Sequence, residues 1–213
     1  MSESSLPLLV VATRNAHKTS EIARMLEGLY EVADLTSYPS APEVEETGHT
    51  FAENAVLKAV SASPAVPGIV LADDSGLCVD VLGGKPGVLS ARYAGEHAGS
   101  AGNNQKLIAE LARCGLPGPY TARFLCAMTL AKGGEVLGTF IGTVEGTVRT
   151  ELRGEEGFGY DPLFVPGGYE RTFAELPVDV KNGMSHRGRA LAQAVEWLRF
   201  RTHELQSSLI SAR

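Results

Sequence analysis

The sequence lacks long hydrophobic runs and any excess of basic residues. It has 213 residues, 44% hydrophobic and 21% charged, and no apolar stretch approaches the ~18 residues that a membrane-spanning helix needs. Its net charge of −6 argues against nucleic-acid binding, which needs a basic surface. Membrane insertion and nucleic-acid binding are therefore not expected, whereas a small anionic ligand stays possible if basic residues converge locally.

The sequence also has few cysteines and no secretion signal. Cys78, Cys114 and Cys126 show no CxxC spacing, and their apolar neighbours favour buried free thiols over a disulfide or a zinc site. Residues 1–6 carry an acidic residue where a signal peptide would be positive. We therefore expect a flexible tail at residues 1–6, one domain spanning residues 1–213, and a cytoplasmic location.

The first half of the chain alternates between strand and helix patterns. β-Branched runs at 8–13 and 30–35 flank a helical stripe from Ile22 to Leu29. A second helix over 51–63 is predicted to begin with a capping box formed by Thr50 and Glu53. A third strand follows at 69–72, and this order predicts an α/β fold.

The second half contains a predicted hairpin between two helices. A helix is predicted over residues 103–115, with Gly115 as the residue that ends it. Two long β-type runs follow, and the turn between them is predicted at Gly133-Gly134. The last helix begins near residue 186, with Ser185 as a natural N-cap.

Two adjacent carboxylates, Asp73 and Asp74, follow the third predicted strand. Successive strand residues point to opposite faces, so we expect the strand to end here and release both acids towards the crevice beyond the sheet. Glu45 and Glu46 add carboxylates from a second loop. Grouped acids suit Mg²⁺, and a turn capped by aspartate is the alternative interpretation.

Three other segments combine polar and aromatic residues. Residues 13–18 join a strand to a helix, where free N–H groups and Lys18 would favour phosphate, although the P-loop spacing is absent. Residues 158–161 offer Phe158 and Tyr160 for stacking on a base. The alternatives are an ordinary turn in the first segment and an aromatic loop plugging the core in the second.

The third segment is Ser-His-Arg at 185–187. His186 and Arg187 place basic side chains in the first turn of the predicted helix, where the helix dipole disfavours positive charge. A residue choice that is locally unfavourable indicates a functional role. A solvated arginine and a capping histidine are the alternatives.

Taken together, these segments resemble the non-canonical purine nucleoside triphosphate pyrophosphatases, the family of inosine triphosphatases and deoxyinosine/xanthosine triphosphate pyrophosphatases. The matching stretches, in family order, are ATRNAHKTSEIARML, EETGHTFAENAVLKA, LADDSGLCVDVLGGKPGVLSARYAG, FGYDPLFVP and SHRGRAL. The resemblance implies an elongated mixed α/β sheet flanked by helices, with two lobes and a central cleft, in a homodimer. It also implies hydrolysis of ITP, dITP and XTP to the monophosphate and pyrophosphate, with one Mg²⁺ per subunit, which cleanses the nucleotide pool of deaminated purines.

The resemblance also implies site residues. Asp74 matches the general base, and Glu45 and Asp74 match the metal ligands. His186 and Arg187 are hydrogen-bond donors that would suit the carbonyl at purine position 6. The implied substrate-binding residues are Thr13, Arg14, Asn15, Ala16, His17, Lys18, Ser75, Phe158, Gly159, Tyr160, Asp161, Lys181, His186 and Arg187.

Three other functions remain open from the sequence. A nucleotide-sensing module would use the same loops without a base beside the metal. The septum-formation-inhibitor-like pyrophosphatases have a different first loop, and TRNAHK at 13–18 argues against them. A phosphatase working through an aspartyl-phosphate would release orthophosphate instead of pyrophosphate.

Overall fold

A computed structural model describes residues 6–211, with side chains described through residue 201. One mixed sheet of six strands forms the centre, in the order β2-β1-β3-β4-β5-β6. Its strands are β1 (Leu8–Val11), β2 (Glu31–Asp34), β3 (Ile69–Val79), β4 (Tyr120–Lys132), β5 (Glu135–Val148) and β6 (Phe164–Pro166). The first three pair in parallel and the last four pair antiparallel. The predicted α/β mixed-sheet fold is confirmed.

Five α-helices of the described residues flank the sheet. They are α1 (Ala16–Met25), α2 (Phe51–Ala62), α3 (Gly99–Arg113), α4 (Val178–Met184) and α5 (His186–Ser211). Within the described part of the chain, no helix is both long and apolar enough to cross a bilayer. The tail predicted at residues 1–6 falls, except for Leu6, outside the described residues.

The prediction that the third strand ends at Asp73 is wrong. β3 continues through both aspartates to Val79, because it pairs antiparallel with β4 from Val70 to Val79, with Asp73 opposite Met128 and Asp74 opposite Ala127. The two side chains therefore point to opposite faces of the sheet instead of leaving a turn together. Hydrophobic periodicity could not predict the pairing with β4, because the paired residues lie about fifty positions further along the chain.

Several helix boundaries also differ from the sequence pattern. α1 begins at Ala16 because the Asn15 side chain accepts hydrogen bonds from the N–H groups of His17 and Lys18. At α2, Thr50 accepts from Glu53 N as predicted, but the Glu53 carboxylate accepts from His49 N at 2.7 Å, so the capping box is only half formed. α4 was missed altogether.

The hairpin and two predicted helix ends are confirmed. β4 and β5 meet at Gly133-Gly134, both with positive φ, and Gly115 has φ +66° just after α3. Ser185 Oγ accepts from Gly188 N at 3.0 Å and so caps α5. All three cysteines are free, but only Cys126 is buried, while Cys78 and Cys114 are half-buried.

The two lobes correspond to two hydrophobic cores on the same face of the long strands. Leu71 belongs to the first core, with α1 and α5 packed over it, and Leu77 belongs to the second, near α3. Asp73 and Ser75 lie between them on this face of β3. The sheet is thus continuous, and the cleft is the polar gap between the two cores.

Candidate active site

The cleft consists of two adjoining cavities. One, of about 260 Å³, contains aromatic side chains, including Phe124 and Phe158, and we call it the aromatic compartment. The other, of about 360 Å³, includes Asp73 and Lys58 and is called the charged compartment. Both are lined by Asn15, Lys18, Glu46 and Ala91. An elongated ligand with an aromatic end and an anionic end could therefore span them.

Asp73 lies inside an ion-pair network. Its carboxylate lies 3.1 Å from Lys18 Nζ and 3.1 Å from an Arg187 guanidinium nitrogen. Burial would raise the pKa of Asp73, but Lys18 and Arg187 hold it well below its usual range. Asp73 is therefore a permanent anion that orients two cations at the cleft wall.

Asp74, on the opposite face of β3, has a different environment. Asn54 Nδ2 donates to its carboxylate at 3.0 Å, and Lys58 Nζ lies 3.5 Å away. Burial raises the pKa of Asp74, with Lys58 and Asn54 opposing the rise and the Glu46 carboxylate adding to it. Two adjacent carboxyl groups with pKa values displaced in opposite directions are typical of a division of roles in a catalytic site.

Lys58 bridges two acids. Its ammonium lies 2.7 Å from Glu46 Oε1 as well as 3.5 Å from Asp74 Oδ1. Sequence reasoning missed Asn54 and Lys58. Their i, i+4 spacing places both on one face of α2, and this spacing was the available signal.

A second buried network joins α1 to α4 and α5. Glu21 pairs with Arg187 and, at 2.8 Å, with Lys181, which also lies 2.8 Å from Asp161. Burial raises the pKa of Glu21, but Arg187 and Lys181 bring it below its usual value. Glu21 was also not predicted from the sequence, although it lies three residues after Lys18, one turn further along α1. These anions explain why Arg187 is tolerated in the first turn of α5.

His186 is buried and stacked on an aromatic ring. Its ring lies 4.7 Å from that of Phe124, with planes 9° apart. Burial, together with Arg187 and Lys181 nearby, lowers the pKa of His186 well below its usual value. Its Nδ1 is buried and has no hydrogen-bond partner among the described residues, and His186 lines the aromatic compartment.

The two aromatic side chains of the 157–161 loop lie in different environments. Tyr160 is buried and donates a hydrogen bond to Ser90 O at 2.9 Å. For this residue, the structure agrees with the alternative interpretation of an aromatic loop that plugs the core. Phe158 is half-buried and stacks on His17 at 5.9 Å, with Lys181 Nζ 5.1 Å from its ring centre. Phe158 N donates to Asp161 at 2.8 Å.

Most residues predicted for the site converge on the cleft. Thr13 and Arg14 line the charged compartment. Those that line the aromatic compartment are Asn15, Lys18, Asp74, Ser75, Phe158, Gly159, Tyr160, Asp161, Lys181, His186 and Arg187. Ala16 and His17 line neither cavity, and Glu45 is exposed while its neighbour Glu46 lines both.

The fold and the cleft define an α/β protein with an elongated pocket of paired charges and stacking rings. A model of the Ham1 family matches residues 9–197, and the chain belongs to this family. It is 50% identical over 188 residues to a dITP/XTP pyrophosphatase of Geobacter sulfurreducens, covering 86% of this chain and 92% of the relative.

Solved structures agree with this assignment. A HAM1 protein from Coxiella burnetii superposes with a TM-score of 0.80 at 38% identity, covering 91% of this chain and 99% of that one. A nucleoside-triphosphatase / dITP/XTP pyrophosphatase from Mycobacterium abscessus gives 0.69 at 42% identity, with 88% and 98% covered.

Proposed function

We propose that this chain hydrolyses non-canonical purine nucleoside triphosphates (ITP, dITP and XTP) to the monophosphate and pyrophosphate, and so removes deaminated purines from the nucleotide pool. The observation that carries the proposal is the continuity of the two compartments. Rings line one, and Lys18, Lys58 and Arg14 line the other. A purine base and a triphosphate need this arrangement. The names of the Geobacter and Mycobacterium relatives point to the same substrates.

The acids of the cleft fit a divalent cation. The Lys58 ammonium lies between Glu46 and Asp74, so this position already accommodates positive charge. No group of three or more His, Cys, Asp or Glu side chains suited to a metal occurs among the described residues, and Mg²⁺ typically takes one or two carboxylates plus substrate phosphates.

We propose Asp74 and Glu45 as the metal ligands. Glu46, which pairs with the same Lys58 ammonium as Asp74, shares the same loop. When bound, Mg²⁺ would neutralise phosphate charge and orient the triphosphate.

Asp74 would act as the general base. A water molecule attacks the α-phosphorus, the bond to the β-phosphate bridging oxygen breaks, pyrophosphate leaves, and the water proton passes to Asp74. Burial raises the pKa of Asp74 and so makes it a better proton acceptor than its neighbour Asp73. Lys18 and the α1 N-terminus would bind the phosphates, while Phe158, His186 and Lys181 would bind the base and sugar.

A single domain over residues 1–213, a homodimer, a cytoplasmic location and the absence of nucleic-acid partners remain predictions of the same proposal. The two rival functions that the cleft also allows differ in their products. A nucleotide sensor would release nothing, and an aspartyl-phosphate phosphatase would release orthophosphate.

The test is incubation of purified protein with ITP and Mg²⁺, followed by separation of pyrophosphate from orthophosphate. We expect IMP and pyrophosphate in equal amounts. Release of orthophosphate as the first product, or tight binding of ITP without turnover, would overturn the proposal.

A further inference from the structure

Arg92, from a distant segment of the chain, binds the loop that carries Glu45 and Glu46. This arginine ends a 3₁₀ helix over Gly87–Arg92. One terminal nitrogen lies 3.2 Å from the Glu46 carboxylate, and the other donates to the Glu46 main-chain oxygen at 3.3 Å. One planar guanidinium thus holds both the side chain and the backbone of a single loop residue through two separate nitrogens in a fixed geometry.

Lys58 does not duplicate this role. It reaches Glu46 from α2, on the same side of the cleft as Asp74, and contacts the carboxylate alone. Residues 38–50 contain no helix or strand. Among the described hydrogen bonds, Arg92 is the only side chain from another part of the chain that reaches the main chain between residues 42 and 47.

We propose that Arg92 is a positioning residue for the cation site, holding the acidic loop where its carboxylates can act together with Asp74. This inference rests on the proposed function, because the divalent cation belongs to that function. Without Arg92 the main chain of the loop loses this contact, and the cation must supply more of the ordering, which lowers cation affinity by the entropy of fixing backbone residues. Outer-shell partners of metal ligands typically contribute 10–100-fold in affinity.

The experiment compares wild type with Arg92→Ala. Mn²⁺ binding is measured by electron paramagnetic resonance in the presence of the α,β-imido analogue of ITP, and amide exchange is followed over residues 42–47. We expect Arg92→Ala to weaken Mn²⁺ binding by about 10-fold or more and to speed exchange in this segment. Arg92→Lys should retain only part of the wild-type Mn²⁺ affinity. Lysine keeps the positive charge but loses the two separate nitrogens that contact the Glu46 carboxylate and main-chain oxygen.

Arg123→Ala is the matched control. Arg123 also pairs with two acids, Asp80 and Glu145, but on an exposed part of β4 away from the cleft. Its loss should leave Mn²⁺ affinity and loop exchange unchanged. A second control, Glu96→Ala, removes the weaker 3.7 Å partner of Arg92 at the surface and should also have no effect.

The outcomes separate the two proposals. The role of Arg92 is overturned if Arg92→Ala binds Mn²⁺ with an affinity within about two-fold of wild type, well short of the outer-shell effect, and if amide exchange in the loop is unchanged. A wild-type protein that binds Mn²⁺ but releases no pyrophosphate from ITP overturns the proposed function alone. A wild-type protein that binds no Mn²⁺ overturns both.

Discussion

At the scale of single residues, the environments of Asp73 and Asp74 divide their roles. Both are buried neighbours on one strand. Burial raises the pKa of both, but Lys18 and Arg187 bring the pKa of Asp73 below its usual value, whereas the pKa of Asp74 stays raised. The alternation of β3 produces this separation, because it sends the two side chains to different partners.

The first prediction is that Asp74→Asn leaves the fold intact and nearly abolishes turnover. The substitution keeps the shape and removes the proton acceptor, which typically costs ~10²–10⁴-fold in kcat. The measurement is kcat with ITP at saturating Mg²⁺, with thermal melting to confirm folding. Asp80→Asn, at an exposed acid just beyond the same strand, is the control and should retain full activity. More than a tenth of wild-type kcat in Asp74→Asn would mean that another group accepts the proton.

His186 supports a prediction about base choice. The terminal nitrogens of Arg187 are occupied by Glu21, Asp73 and Ser75, whereas His186 lines the aromatic compartment and its Nδ1 has no partner in the described part of the chain. We therefore expect His186→Phe, which keeps the stack on Phe124, to lower kcat/KM for ITP by about 10-fold, the worth of one good hydrogen bond. ATP hydrolysis should change little, so the ITP/ATP ratio falls. An equal loss on ITP, ATP and GTP would instead assign His186 a structural role.

At the scale of elements, the position of α5 depends on a small residue in β5. A Cβ at Gly142 would lie 2.6 Å from Ala190 N and closer still to the His186 carbonyl, both backbone atoms of α5. The helix and the strand are therefore in backbone contact at the turn that carries His186 and Arg187. The packing of one element against another thus sets the placement of two cleft residues.

We predict that Gly142→Ala destabilises the protein and impairs the site together. Overpacking of this kind costs roughly 1–3 kcal/mol, and the displaced turn should also raise KM for ITP. Thermal melting and steady-state kinetics check the two effects. Gly183→Ala, in α4 with no atom within 4 Å of the added Cβ, should be neutral or slightly stabilising. A neutral Gly142→Ala would show that α5 can move away without cost.

At the scale of the whole molecule, the cleft is a polar interruption between two cores on one sheet. Leu71 and Leu77 anchor the cores, and Asp73 and Ser75 occupy the gap. Side chains from α1, β3, α4 and α5 meet there through ion pairs. A ligand that spans both compartments therefore contacts elements from both lobes.

Binding should consequently stabilise the entire fold. A ligand at one hundred times its Kd stabilises by about 2.7 kcal/mol, which raises the melting temperature of a protein of this size by about 5–10 °C. We expect this shift with the α,β-imido analogue of ITP and Mg²⁺, and a much smaller one with the corresponding ATP analogue. Equal shifts with both analogues would contradict selection of the base in the ground-state complex.

Local sequence patterns were sufficient to predict the fold class, the hairpin at Gly133-Gly134, the N-cap at Ser185 and nearly all segments of the site. These follow from local chemistry, because periodicity, turn residues and capping side chains act over a few residues. The resemblance of five ordered segments was sufficient to indicate the family, which the comparisons confirmed.

Long-range packing set the remaining features: the course of β3 through Asp73 and Asp74, the contacts of Glu21 with Arg187 and of Lys58 with Asp74, and the hydrogen bonds of Arg92 to Glu46. Each joins residues at least 16 positions apart. Such pairs depend on which strands align and where helices pack, and they are set by the balance of burial and charge over the whole chain. A local pattern carries no information about a partner that only folding brings near.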